Sequence, residues 1–109
     1  MVLERVALTG ASGMLGRHLL ALCAENKISY LAASRTTWDL ADWKSPAELD
    51  RLFPGASALI HAGALIADGR DTSAFRALLD VNVRSALCLG QWARQKGIPL
   101  VFISSATVY

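Results

Sequence analysis

The sequence has few of the features that mark secreted, metal-binding or nucleic-acid-binding proteins. Its 109 residues include two cysteines, Cys23 and Cys88, and neither belongs to a Cys/His cluster with metal-ligand spacing. Disulfide frameworks and zinc sites need such patterns, so we expect two buried free thiols and no metal. The formal net charge is only +2 and the basic residues are scattered, so no nucleic-acid partner is expected.

Long apolar runs are also missing. No stretch reaches the roughly 18 to 20 residues of a membrane span, and the segment Met1 to Arg5 lacks the basic and then apolar order of a signal peptide. We therefore expect a cytoplasmic protein with no membrane partner. The hydrophobic fraction is 53% and the charged fraction 18%, which excludes a disordered chain and favours one α/β domain with a buried parallel sheet covered by helices.

A glycine-rich turn is the most informative stretch. The sequence from Thr9 to Gly16 reads T-G-A-S-G-M-L-G, after an apolar run at Arg5–Leu8 and before a helical pattern at Leu15–Cys23. Glycines let the backbone approach a ligand closely, and the free N–H groups of a first helical turn attract anions. The context predicts a pyrophosphate cradle. The alternative is that the glycines only help the helix to pack, through the face formed by Leu15, Leu19, Leu22 and Cys23.

The end of the second predicted strand bears on the choice of dinucleotide. Residues Ile28 to Ala33 complete a β-α-β unit, and the tip of this strand would face the adenosine ribose. No acid that could accept from the 2′-hydroxyl of NAD lies between Glu25 and Asp39. Arg35, beside Ser34, could instead pair with the 2′-phosphate of NADP. NADP is therefore preferred over NAD, the alternative being that Arg35 is simply solvated.

The rest of the chain carries further helix and strand signals. Ser45, Pro46 and Glu48 form a capping-box start for a helix to about Phe53. The segment from Trp38 to Trp43 is compatible with a short third strand, and both tryptophans are expected to pack on that helix. Then follow a strand at Ala58–His61, a long helix from Thr72 or Ser73 to about Lys96, and a buried strand at Leu100–Ile103. The long helix has an apolar stripe through Phe75, Leu79, Ala86, Leu89 and Ala93.

Small and polar residues flank these later elements. Ala62-Gly63-Ala64 would leave room for a flat ring at the carboxyl end of a strand, where open α/β sheets bind ligands in a crevice. Ser104-Ser105 would place hydroxyls in this crevice, beside the glycine turn. Asn82 lies on the apolar stripe of the long helix and must find partners. It either bonds a neighbouring strand or orients that strand, or a water, beside a cofactor. His61 is expected to be a satisfied core residue with no catalytic role.

Five motifs together resemble one enzyme family. They are T-G-x-x-G-x-x-G at Thr9–Gly16, Asp39-Leu40, His61-Ala62-Gly63-Ala64, Asn82-Val83 and the stretch Ser104–Tyr109. Their order is similar to that in the extended short-chain dehydrogenase/reductases, in particular the front part of NAD-dependent sugar-nucleotide epimerases, dehydratases and reductases. The resemblance covers the whole chain. It implies a Rossmann-type parallel sheet flanked by helices and truncated after the strand ending at Ser104-Ser105. Residues 1–109 would then be a partial NAD(P)-binding domain, with the substrate domain absent.

The resemblance also implies site residues. Ser105 matches the family's catalytic serine, whose hydroxyl would bond the reacting oxygen of the substrate. Asn82 matches the family's helix asparagine. With the residues argued above, the cofactor-binding set comprises Gly10, Ala11, Ser12, Gly13, Met14, Leu15, Gly16, Ser34, Arg35, Asp39, Leu40, Ala62, Gly63, Ala64, Leu65, Asn82 and Ile103.

One part of the family pattern is missing. The family's acid/base is a Tyr-x-x-x-Lys pair beyond the serine strand, and neither Tyr30 nor Tyr109 has a lysine four positions later. We therefore expect the amino-terminal part of a longer enzyme that acts on a nucleotide sugar or related carbonyl compound, inactive or nearly so alone. An exposed edge and a bare sheet face would favour self-association. The alternatives are a non-catalytic NADP(H)-binding sensor or interaction module, and a fold remnant that binds nothing stably.

Overall fold

A four-stranded parallel sheet organises the protein. The computed structural model describes residues 4–34, 37–40, 42–63 and 79–103. The strands are β1 (Arg5–Thr9), β2 (Ser29–Ala33), β3 (Ala58–His61) and β4 (Leu100–Phe102). They lie in the order β2-β1-β3-β4, and every pairing is parallel. The predicted α/β class is confirmed, and these four strands lie within a residue of their predicted bounds.

Among the described residues, three α-helices accompany the sheet, namely α1 (Met14–Glu25), α2 (Pro46–Leu52) and α3 (Ser85–Lys96). The predicted capping box of α2 is present, since the Ser45 hydroxyl accepts from the Glu48 N–H and the Glu48 carboxylate accepts from the Ser45 N–H, each at 3.3 Å. The predicted start of the long helix lies outside the described residues. Its segment Leu79–Arg84 is π-helical and leads into α3.

One face of the sheet carries the main core. The parallel register places Ala7 beside Leu31 and Leu59, and α2 and α3 cover this face. The rings of Phe53 and Trp92 lie 5.9 Å apart between their centroids, and both side chains are about 1% exposed. The buried cluster comprises Ala7, Ala33, Trp38, Leu49, Phe53, Leu59, Cys88, Leu89, Trp92 and Ala93. Cys88 and Trp92 are thus packing residues, and both cysteines are free and buried as predicted.

The packing face of α1 differs from the prediction. The expected stripe included Leu15 and Leu22, but these side chains are 42% and 52% exposed. The buried positions of α1 are Gly16 and Cys23. A Cβ atom on Gly16 would lie 2.0 Å from the carbonyl oxygen of Gly10. The helix therefore lies close to the glycine turn at Gly16, and of the expected stripe only Cys23 is buried.

Three other expectations are corrected. The described residues between Trp38 and Trp43 form no strand; Trp38 is buried and its indole N–H donates to the Asp42 carbonyl at 3.0 Å, whereas Trp43 is 48% exposed. The buried face of α3 contains Leu89 and Ala93 as expected, but Ala86 is only half-buried. Strand β4 is not fully buried, because it is the outermost described strand and Val101 and Phe102 are each 52% exposed. Ser85, Cys88 and Trp92 complete the buried face of α3.

Within the described ranges, no helix has the length and apolar character needed to cross a membrane.

Candidate functional site

The connectivity of the sheet creates a crevice between two strands. From β1 the chain passes through α1 to β2 on one side, whereas β3 pairs on the other side of β1. Open α/β sheets bind ligands outside the carboxyl ends of strands at such a switch point. Gly10 follows β1 and Ala62-Gly63 follow β3, so the fold brings two predicted cofactor-binding segments to this one position.

The two segments contact each other through their glycines. Gly10 has φ +69°, and a Cβ atom there would lie 2.6 Å from the Gly63 nitrogen. The Gly63 N–H donates to the Thr9 hydroxyl at 3.1 Å. A Cβ atom on Gly63 would lie 2.5 Å from Cδ1 of Leu40. The fold itself therefore requires glycine at position 10, where the obstructing atoms belong to the backbone. The atom closest to Gly63 is the end of the flexible Leu40 side chain, which lies against the same loop.

Gly13 differs from its two partner glycines. It is the N-cap of α1 with φ −75° and ψ 171°, a conformation open to any residue, and it provides no side-chain cap. A Cβ atom there would meet only the Gly10 carbonyl oxygen, at 3.4 Å, which is ordinary contact. The fold therefore has no steric need for glycine at this position, and open space lies where a side chain would project.

The start of α1 is suited to an anion. The first N–H groups of a helix have no acceptor within the helix, and α1 has no acidic side chain in its first turn. The residues Ser12 to Leu15 are exposed, Met14 by 74%. Free N–H groups, the positive end of the helix dipole and an uncovered surface together fit a phosphate group.

The loop after β2 lies beside the glycine turn. The Ala11 N–H donates to the carbonyl of Ala33, the last residue of β2, at 3.2 Å. The next residue, Ser34, starts a turn in which the Thr37 hydroxyl accepts from the Ser34 N–H at 2.9 Å and donates to the Ser34 carbonyl at 3.0 Å. Asp39, further along, is exposed. Arg35, on which the NADP preference depends, lies outside the described residues.

The remaining described residues of the predicted site lie in the π-helical segment and at the end of β4, and we call these elements, with the end of β3, the opposite wall of the crevice. Asn82 is half-buried in the π-helical segment, a local geometry that is frequent at functional sites. The Ile103 N–H donates to the His61 carbonyl at 3.2 Å, which aligns the end of β4 with the end of β3. Ala64, Leu65, Ser104 and the predicted catalytic Ser105 lie outside the described residues.

A buried polar cluster beneath the crevice was not predicted from sequence. Thr9, His61 and Ser85 are at most 2% exposed. The Thr9 hydroxyl lies 2.6 Å from Nδ1 of His61, and the Ser85 hydroxyl lies 3.3 Å from Nε2. Burial lowers the pKa of His61 from 6.5 to about 4. His61 is thus a hydrogen-bonded core residue, as expected, but its partners Thr9 and Ser85 were missed because nothing in the local pattern links them. Among the described side chains, no three His, Cys, Asp or Glu residues gather as metal ligands.

Comparison with known proteins decides the family. The model of the NAD dependent epimerase/dehydratase family matches residues 6–109. The chain belongs to this family. The predicted family is therefore confirmed, and the match spans all five motifs on which the prediction was based.

Members of the epimerase/dehydratase family and proteins of related fold are similar over most of this chain. The dTDP-4-dehydrorhamnose reductase of Mycobacterium tuberculosis is 30% identical over 107 residues, which are 97% of this chain and 34% of that protein. The structure of dTDP-4-dehydrorhamnose reductase from Bacillus anthracis in complex with NADP has a TM-score of 0.78 at 20% identity, covering 95% of this chain and 37% of that one.

The UDP-glucose 4-epimerase of Thermus thermophilus in complex with NAD has a TM-score of 0.78 at 21% identity, covering 93% of this chain and 37% of that one. These structural likenesses confirm the Rossmann-type fold of the family. The chain spans about a third of the length of these three proteins.

Proposed function

We propose that this chain binds a nicotinamide dinucleotide and is the cofactor-binding part of a nucleotide-sugar epimerase, dehydratase or reductase. In this proposal residues 1–109 are a partial NAD(P)-binding domain. The observation that carries it is the start of α1. There Gly13 is not required by the fold and lies beside the first N–H groups of the helix, which have no acceptor within the helix. Family membership supports the same assignment.

Each wall of the crevice is assigned one part of the dinucleotide. The pyrophosphate would lie on the glycine turn, residues 10–16, at the positive end of α1. The adenosine would lie toward the loop after β2, near Ser34, Arg35, Asp39 and Leu40. The nicotinamide side would run past residues 62–65, with Asn82 and Ile103 beyond them. Support for this arrangement comes from Ala11, which ties the turn to β2, and from Gly63, which ties it to β3.

The central test uses one substitution that separates stability from binding. Gly13→Asp gives α1 a side-chain cap and a negative charge at its positive end, which should stabilise the fold by roughly 0.5 to 1 kcal/mol. The same carboxylate would occupy the proposed phosphate position and repel the pyrophosphate, so affinity for NADPH should fall at least about tenfold. Urea unfolding measures the first effect and calorimetric titration the second.

Gly90→Ala is the matched control. Gly90 lies within α3, and no atom lies within 4 Å of a Cβ placed there. Alanine should raise stability by about 0.5 to 1 kcal/mol through helix propensity, with NADPH affinity unchanged. If Gly13→Asp binds NADPH as tightly as the unmodified chain, the pyrophosphate is not on this turn and the proposal fails.

NADP is proposed as the preferred dinucleotide. The support is the sequence after β2, where Ser34 and Arg35 offer a hydroxyl and a guanidinium and no acid lies between Glu25 and Asp39. Charge-assisted hydrogen bonds contribute about 1.5 to 3 kcal/mol, so NADPH should bind at least about tenfold more tightly than NADH. Arg35→Gln should remove most of that difference. Equal affinities of the unmodified chain for NADPH and NADH would refute the assignment.

The proposed chemistry needs residues that these 109 residues do not include. A bound nicotinamide dinucleotide supplies hydride transfer to or from a sugar carbon. The Ser105 hydroxyl would donate to the reacting oxygen of the sugar and stabilise charge that develops there. No tyrosine of this sequence is followed by lysine four positions later, so a group to move the proton is missing. We expect the chain alone to show no turnover of keto-sugar nucleotides with NADPH, and turnover at ordinary enzyme rates would contradict this.

Self-association is a separate part of the proposal, with a second copy of this chain as the partner. Its support is β4, the outermost described strand, where Val101 and Phe102 are each 52% exposed. Apolar edge strands favour pairing with another chain. Sedimentation velocity should show a concentration-dependent dimer that Val101→Lys weakens. A monomer at all concentrations would end this part of the proposal.

A cytoplasmic location is also proposed. The support is that Cys23 and Cys88 are both free, as is usual in a reducing compartment. Fractionation of cells that produce the protein would test it, and recovery in an oxidising compartment would contradict it.

A further inference from the structure

A continuous chain of hydrogen bonds runs through the protein beneath the crevice. The Gly63 N–H lies 3.1 Å from the Thr9 hydroxyl oxygen, which lies 2.6 Å from Nδ1 of His61. On the other side of the ring, Nε2 lies 3.3 Å from the Ser85 hydroxyl oxygen, and this hydroxyl bonds the Val81 carbonyl. This series of hydrogen bonds thus joins the loop after β3, strand β1 and the junction between the π-helical segment and α3.

The donors and acceptors fix the direction of every bond. The Val81 carbonyl can only accept, so the Ser85 hydroxyl must donate its one proton to that bond. Nε2 of His61 must then donate to the Ser85 oxygen, which leaves Nδ1 as an acceptor. The Thr9 hydroxyl therefore donates to Nδ1, and its oxygen accepts from the backbone N–H of Gly63. One neutral tautomer of His61, with its proton on Nε2, gives every group in the series a partner. These groups are the Gly63 N–H, the Thr9 hydroxyl, the His61 ring, the Ser85 hydroxyl and the Val81 carbonyl.

The environment of the ring keeps it neutral. The side chain of His61 is 2% exposed, and burial lowers its pKa to about 4. A second proton would sit on Nδ1 and face the proton of Thr9, so the Thr9 hydroxyl would have to turn away. The oxygen of Thr9 would then accept from both His61 and Gly63 while its hydrogen lost the ring as its acceptor. The bond that Thr9 donates to Nδ1 therefore favours the neutral ring.

We propose that His61 is a positioning residue that, through Thr9 and Ser85, holds both walls of the dinucleotide crevice. Toward β1 it orients the hydroxyl that fixes the Gly63 N–H. Toward α3 it bonds Ser85, whose second partner is the carbonyl of the residue before Asn82. The inference that the crevice binds a dinucleotide rests on the proposed function, whereas the linkage between the two walls does not.

The position of Gly63 is critical because space around it is so limited. A Cβ atom on Gly10 would lie 2.6 Å from the Gly63 nitrogen, so the two backbones are already in contact. Loss of the bond from Thr9 would let the Gly63 loop move relative to the glycine turn. Such a shift would change the width of the crevice at the point where the two predicted binding segments meet.

The first experiment needs no ligand. Nitrogen NMR of the full chain reports which ring nitrogen of His61 carries the proton, and amide hydrogen exchange reports how well the Gly63 N–H is held. We expect the Nε2–H tautomer near neutral pH. Thr9→Ser keeps the hydroxyl and should retain both readouts, whereas the isosteric Thr9→Val should speed exchange at Gly63 roughly tenfold, the equivalent of one hydrogen bond. A proton on Nδ1, or unchanged exchange in Thr9→Val, would overturn the proposal.

The second experiment separates a linked chain from independent bonds. Ser85→Ala removes a group that does not contact Gly63, yet it should weaken the tautomer preference of His61 and speed exchange at Gly63 several-fold. Ser57→Ala is the control. The Ser57 hydroxyl also bonds a strand, accepting from the Arg5 N–H and donating to the Arg5 carbonyl at 3.1 and 3.0 Å, but at the opposite end of the sheet. Equal effects of the two variants on Gly63 would overturn the linkage.

Binding of NADPH is measured on the same variants. We expect Thr9→Val and Ser85→Ala to weaken it several-fold and Ser57→Ala to leave it unchanged. If exchange at Gly63 rises but the affinity for NADPH does not fall, His61 does not position this binding site. If the unmodified chain binds no NADPH, the proposed function fails, while the tautomer and exchange data still decide whether His61 links the two walls.

Discussion

Acidification should destabilise this protein through His61. The ring is 2% exposed, and the described groups in contact with it are the hydroxyls of Thr9 and Ser85 and the ring of Phe102, none of which is charged. Burial lowers its pKa from 6.5 to about 4. Between these values the unfolded chain binds more protons than the folded one, so stability is lost as the pH falls from 6.5 toward 4.

The size of this loss follows from the two pKa values. Each pH unit between 6.5 and about 4 is equivalent to 1.36 kcal/mol for one proton. The full loss is therefore about 3 kcal/mol, of which about 2 kcal/mol is reached at pH 5. A domain of this size has a total stability of roughly 5 to 15 kcal/mol, so a loss of this size should be easy to measure.

Urea unfolding of the chain at about pH 7 and about pH 5 measures the effect. His61→Asn cannot titrate in this range, so its stability should change little between the two pH values even if the variant is less stable at both. His18→Gln, an exposed histidine of α1, is the control and should keep the loss. The pKa values of Glu48 and Asp50 are lowered by the N–H of Ser45 and by Lys96 respectively, so their contributions vanish only at pH values below this window. An equal loss in His61→Asn and the unmodified chain would refute the reasoning.

Three further predictions concern the fold. Gly16→Ala should cost about 3 kcal/mol or more in urea unfolding, because its Cβ would lie 2.0 Å from the Gly10 carbonyl oxygen; a loss below about 1 kcal/mol would mean that α1 can shift freely. Ser45→Ala should cost about 1 kcal/mol by removing the capping box of α2, and an unchanged melting temperature would contradict this. The Cys88 thiol is 2% exposed, and burial raises its pKa; a thiol reagent should therefore label it only as fast as the protein opens, and immediate labelling would show that it is accessible.

Much of the secondary structure could be predicted because its signals are local. The capping box at Ser45 involves residues three apart, and Gly97 ends α3 with φ +67°, a conformation that favours glycine. The strands follow from short apolar runs between turn residues. The face of α1 could not be predicted in this way. A hydrophobic stripe shows which residues are apolar, but it does not show that Cys23 is buried while Leu15 and Leu22 are exposed.

The candidate site likewise has features that the local sequence predicts and features that it does not. Gly10, Gly13 and Gly16 could be assigned to one turn because they lie within seven residues of one another. Their different roles could not be assigned, since only the neighbours of each missing Cβ show that Gly10 and Gly16 serve the fold and that Gly13 leaves open space. The strand at Leu100–Ile103 was expected to be buried, whereas Val101 is 52% exposed, because an apolar strand looks the same in sequence whether it lies inside a sheet or at its edge.

The sequence by itself determined the strand, glycine turn and helix at the start of this chain, together with the family to which it belongs. Those features depend on backbone conformation and on hydrogen bonds between residues a few positions apart. Only the tertiary structure decided that Thr9, His61 and Ser85 form one connected group. Thr9 and His61 are 52 positions apart, and they meet because the parallel register of β1 and β3 places them side by side. This pairing is a contact between distant segments, so no pattern of neighbouring residues shows it.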